Sequence, residues 1–90
     1  MTIYVDNFKA PWKLTVWCHM IATTPEELHT FAKTLGLKRI WAQGNPRFPH
    51  YDLTPAKKVM AIKLGAKEVT VRELAMVQMK QMGGLYVRRR

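Results

Sequence analysis

This chain is short of cysteine and of acidic residues, and each shortage closes off a class of protein. A single cysteine, Cys18, excludes an internal disulfide framework and any CxxC-type metal or redox motif. No apolar run is long enough to cross a bilayer, and Met1-Thr2-Ile3-Tyr4-Val5-Asp6 has neither the basic nor the apolar region of a signal peptide. The expected location is therefore the cytoplasm, with no membrane partner. No internal repeat or low-complexity stretch interrupts the 90 residues, which leave room for one domain with one modest core. Six Asp/Glu stand against fifteen Lys/Arg, for a formal charge of +9. The excess is lopsided: residues 1–45 carry a net +2 and residues 46–90 a net +7. A basic half of this kind suits phosphate-bearing partners, whether nucleotide, nucleic acid or another anionic surface.

A hydrophobic share of 48%, with three each of Trp, Tyr and Phe, predicts a folded globule. Ile3-Tyr4-Val5 and Leu14-Thr15-Val16-Trp17-Cys18 read as strands, the second running on toward Ala22. Thr24 caps a helix that has Pro25 at its first position and Glu27 closing a capping box. Leu28, Phe31, Ala32 and Leu35 form its buried stripe, and Gly36 ends it. Lys38–Ala42 reads as a third strand, followed by a Gly/Pro loop to Pro49 and a short extended piece, His50–Leu53. Thr54 and Pro55 open a second helix with Ala56, Val59, Met60 and Ile62 inward, which Gly65 ends. Lys67-Glu68-Val69 is a possible short strand. Thr70 and Glu73 form another capping box, opening a helix to about Gln81 with Val71, Leu74, Ala75 and Val77 inward. The expected fold is a small single-domain α/β sandwich, a mixed sheet of roughly three to five strands with about three helices. Its domain spans 1–84, with a basic C-terminal tail at 85–90.

The chemistry concentrates in His50-Tyr51-Asp52-Leu53-Thr54-Pro55-Ala56-Lys57-Lys58. Lysines at a helix N-terminus oppose the positive end of the dipole unless something negative sits among them. Thr54, Lys57 and Lys58 are therefore read as an anion site, with Arg47 beside Phe48 closing over it. Two residues apart on an extended segment, His50 and Asp52 face the same way, as an acid–base pair requires, and Tyr51 faces the other. His50, Asp52 and His19 are the candidate catalytic residues. Tyr51, Asp6 and the loop residue Trp12 complete the ligand-binding set. No two histidines have the i,i+4 or close strand spacing of a zinc site. A metal held by Asp6, His19, His50 and Asp52 needs all four strand ends to converge, so neither a metal nor a cofactor is expected. His29 falls on the flank of the first helix's buried stripe. Met76, Met79 and Met82, with Leu74 and Val77, make the last helix apolar over much of its circumference, which predicts a homo-oligomer.

Several of these segments together resemble a small uncharacterised family found in bacteria and their phages. The likeness runs through Tyr4-Val5-Asp6, Cys18-His19-Met20-Ile21-Ala22, Glu27-Leu28-His29, Trp41 with Gln43, and His50-Tyr51-Asp52-Leu53. It extends to a basic residue near Lys58, to Gly65-Ala66 and to the basic end. This chain departs from the pattern at Thr23, where relatives often carry aspartate, and at Ala42, where a second aromatic is common. The resemblance transfers no activity. Its phage members imply a setting in which a nucleotide signal of host defence is sequestered or destroyed.

The sequence thus points first to a binder of a phosphate-containing small molecule, a nucleotide or cyclic oligonucleotide. One alternative is a phosphodiesterase or nuclease using His50 and His19. Another is a basic nucleic-acid-binding or protein-interaction module working through Arg88-Arg89-Arg90.

Overall fold

The computed structural model describes the backbone of residues 2–12 and 15–81, and the side chains of residues 2–9 and 17–81. In chain order the elements are β1 (Ile3–Asp6), β2 (Ala10–Trp12), β3 (Thr15–Ala22), α1 (Pro25–Thr34), a single 3-10 turn (Arg39–Trp41), β4 (Tyr51–Leu53), α2 (Pro55–Lys63), β5 (Lys67–Val69) and α3 (Val71–Gln81). The tail 85–90, and with it the 1–84 domain boundary and Met82, lies outside the described residues.

The five strands form one mixed sheet around β3. Met20 pairs with Val5 of β1 and with Tyr51 of β4, so these two antiparallel strands flank β3 on opposite sides. β5 adds to β1 in parallel, and β2 pairs antiparallel with the start of β3. β2 is a strand in spite of Pro11, a residue that lacks a donor for the ladder, so Trp12 belongs to a strand and not to the expected loop.

Alternation along the strands separates two faces. Val5, Cys18, Met20, Ala22, Tyr51 and Leu53 turn to one face and join Leu28, Ala32 and Leu35 of α1 and Ala61 of α2 in a single core. Asp6, His19 and Asp52 turn to the other. Both predicted N-caps form, but only the second closes as a reciprocal box: Thr24 Oγ1 accepts from Glu27 N at 3.2 Å and donates to Glu27 Oε1 at 3.3 Å. Thr70 N donates to Glu73 Oε1 at 2.8 Å, and Glu73 N donates to Thr70 Oγ1 at 3.1 Å. At the end of α1, Gly36 takes the left-handed φ of 81° that lets Leu37 N reach back to Ala32 O at 2.9 Å.

Three further local expectations are corrected. Lys38–Ala42 is not a strand: Trp41 N and Ala42 N donate to Lys38 O and Arg39 O, winding the segment into the 3-10 turn. Its apolar residues therefore do not alternate against a sheet, and Ile40 and Trp41 stay exposed. In α2 the buried residue is Ala61, while Ala56, Val59, Met60 and Ile62 face outward. A helix that packs through one alanine comes close to the sheet and leaves its larger apolar side chains outside. In α3 Leu74 is buried and Val77 half-buried, but Val71 and Ala75 are exposed.

Candidate functional site

Strand register builds the site. His19 on β3 pairs directly with Asp52 on β4. The β1–β3 register, Val5 opposite Met20, puts Asp6 beside His19 on the other flank. Asp6, His19 and Asp52 thus form one row across three strands, on one face of the sheet. His50, two residues before Asp52, joins them from the Gln43–His50 bridge.

Asp6 is fully buried and anchors the row. Its Oδ1 accepts from His19 N at 2.9 Å and from Phe8 N at 3.2 Å. Its Oδ2 lies 2.7 Å from His19 Nδ1. That bond fixes the ring's orientation and leaves Nε2 as its open nitrogen. Phe8 stacks on the same ring, with centroids 5.3 Å apart and planes within 13°. His50 meets His19 edge-on at 5.4 Å. His50 Nε2 lies 3.6 Å from Asp52 Oδ1, and Gln43 Nε2 donates to Asp52 Oδ2 at 2.8 Å. Burial holds His50 below the usual histidine pKa, against the opposing pull of Asp52. The closely approaching backbone at Gly44 has φ 87°, and a Cβ there would come within 3.3 Å of His50 Nδ1. Each histidine therefore has a carboxylate partner, and each carboxylate is held by a further donor.

Asp52 and Gln43 also open onto a cavity of about 660 Å³, walled by Trp17, Leu37, Ile40 and Trp41 and carrying Thr54 and Lys57. Thr54 and Lys57 thus stand next to the histidine cluster, although the lysine is already engaged. Lys57 Nζ donates to Leu35 O at 2.6 Å, at the negative end of α1. Lys58 Nζ pairs with Glu68 Oε2 at 2.8 Å. The negative groups that the helix-start lysines need are therefore supplied within the fold. Thr54 Oγ1 accepts from Lys57 N at 3.3 Å as the N-cap.

The remaining sequence candidates lie apart. Tyr51 is buried on the core side, its hydroxyl 2.7 Å from His29 Nδ1. Arg47 lines a separate cavity of about 540 Å³ with His29 and Arg39. The side chain of Trp12 and the Arg88–Arg90 segment lie outside the described residues. Sequence reasoning passed over Phe8 and did not assign Gln43 a role. Both act through neighbours set by strand register and loop closure, which no local spacing announces.

No curated protein and no solved structure matches the chain. A family model described as "Protein of unknown function (DUF4031)" matches residues 3–81, a span that contains the whole cluster and the cavity beside it. The chain therefore belongs to that family of unknown function.

Proposed function

We propose that this protein binds a phosphate-containing small molecule, a nucleotide or small cyclic oligonucleotide, in the cleft beside Asp52. The observation that carries the reading is the meeting of two indoles, Trp17 and Trp41, with Thr54, Lys57, Gln43 and Asp52 around one cavity of about 660 Å³. That volume suits a small ligand, and indole faces stack any base. Lys57 commits one N–H to Leu35 O, so its ammonium keeps two donors for phosphate. Asp52 and Gln43 offer an acceptor and an amide to a sugar or base edge. Trp41 is 48% exposed, so replacing it leaves the core intact. Calorimetry against a nucleotide panel should find a ligand that Trp41→Ala binds roughly tenfold to a hundredfold more weakly, at about 1–3 kcal/mol per stacked base. A panel without binding, or an unchanged variant, refutes the reading.

The edge-on contact of His19 with His50 favours a second reading, in which the ligand is also cleaved. Water would add to phosphorus, an ester P–O bond would break, and the proton taken from water would end on the leaving oxygen. Ligand masses that change on incubation, and stop changing in His50→Ala, distinguish turnover from retention. Self-association through α3 belongs to the same proposal, with Val71 and Met76 exposed on that helix. Sedimentation of the wild type against Met76→Lys tests it.

A further inference from the structure

The histidine row carries chemistry beyond ligand retention. We propose that His19, His50 and Asp52 bind a divalent transition metal of the zinc class. One ligand atom from each lies within 4.8 Å of the others. Metal–nitrogen and metal–oxygen bonds of about 2.1 Å place tetrahedral ligand atoms about 3.4 Å apart. His50 Nε2 and Asp52 Oδ1, at 3.6 Å, already stand near that separation. With the His19 ring held by Asp6, the remaining approach, from no more than 4.8 Å, falls to His50 and Asp52.

The surroundings supply the independent argument. A ligating histidine characteristically hands its second ring nitrogen to a carboxylate, which fixes the tautomer and strengthens the ligand. Asp6, fully buried and 2.7 Å from His19 Nδ1, stands in that position. Gln43 does the same for Asp52, holding Oδ2 while Oδ1 faces His50. Two imidazoles and a carboxylate select a borderline metal over calcium or magnesium, and three protein ligands leave a coordination position open. Of the three ligands, Asp52 also lines the cleft. With metal bound the two histidines are ligands rather than proton carriers. The inference does not depend on the nucleotide reading, because the metal is assayed alone.

The test is a zinc titration of chelator-treated protein in competition with a chromophoric chelator, with folding followed by tryptophan fluorescence. One equivalent per chain is expected. His50→Ala and the near-isosteric Asp52→Asn should each weaken binding at least a hundredfold. Asp6→Asn, which touches no metal, should weaken it about 10–100-fold by releasing His19. His29→Gln, altering the third histidine, should bind as the wild type does. Absence of stoichiometric binding overturns the proposal. So does affinity retained in folded His50→Ala and Asp52→Asn, which would mark adventitious surface binding.

Discussion

Replacing Asp6 should separate the carboxylate's structural bonds from its bond to His19. Asp6 is 0% exposed and accepts from two backbone amides and one imidazole. In Asp6→Ala the His19 amide loses its acceptor, at about 1–3 kcal/mol for an orphaned donor. The Phe8 amide lies beside exposed residues, where water can replace part of its bond. Loss of the imidazole contact adds about 1–2 kcal/mol, toward the low end for a charge-assisted bond because His19 is 33% exposed. A small cavity adds about 1 kcal/mol. The total is roughly 4 kcal/mol, a large share of the ~5–15 kcal/mol that stabilises a domain. Asp6→Asn keeps Oδ1 as an acceptor for both amides and loses only the carboxylate–imidazole bond, so about 1–2 kcal/mol is expected. Urea unfolding followed by tryptophan fluorescence, extrapolated linearly for each variant, measures both. Equal losses in the two variants, or a loss below about 1 kcal/mol in Asp6→Ala, would refute this account.

Lys57→Met should cost about 1 kcal/mol by leaving Leu35 O at the end of α1 without its cationic donor, whereas Lys58→Met breaks a partly solvated pair and should cost less than about 1 kcal/mol. Thermal or urea unfolding of the two variants provides the ranking, and the reverse order contradicts the capping role. Burial pushes the Cys18 thiol pKa up to about 11, and the residue is 5% exposed. A thiol reagent at neutral pH should therefore modify native protein far more slowly than denatured protein, and equal rates would contradict it. Burial lowers the His29 pKa below its ordinary value, with Arg39 adding to the shift. The folded state thus favours neutral His29, which accepts from the Tyr51 hydroxyl. Its contribution to stability is complete above the unfolded pKa of about 6.5 and is lost as pH falls through the lower folded value. Stability of wild type and His29→Gln across pH 5 to 8 should converge at the acid end, and parallel curves would exclude the linkage.

What was legible in the sequence followed how local each signal is. The caps at Thr24 and Thr70 lie within one helical turn of Glu27 and Glu73, and both formed, the second as a full reciprocal box. The outward face of α2 was not legible, because Ala61 alone decides which side meets the core. Lys38–Ala42 carries Ile and Trp, which suit a strand, but its backbone closes on itself before it meets a partner. The His50–Asp52 alignment followed from alternation, whereas the junction with Asp6 and His19 depends on two registers between segments distant in sequence. The helix-start lysines read as an anion site in the sequence, and in the fold both have partners of their own. Those partners, Leu35 O and Glu68, came from other elements.

β4 is three residues long and lies at the edge of β3, yet it carries Asp52 and is preceded by His50. So short a strand contributes little pairing of its own. Anything that grips His19 together with His50 and Asp52 therefore fastens that edge to the centre of the sheet. Occupancy should act as a clasp: the β4 amides would exchange more slowly with solvent, and the melting temperature would rise with ligand concentration.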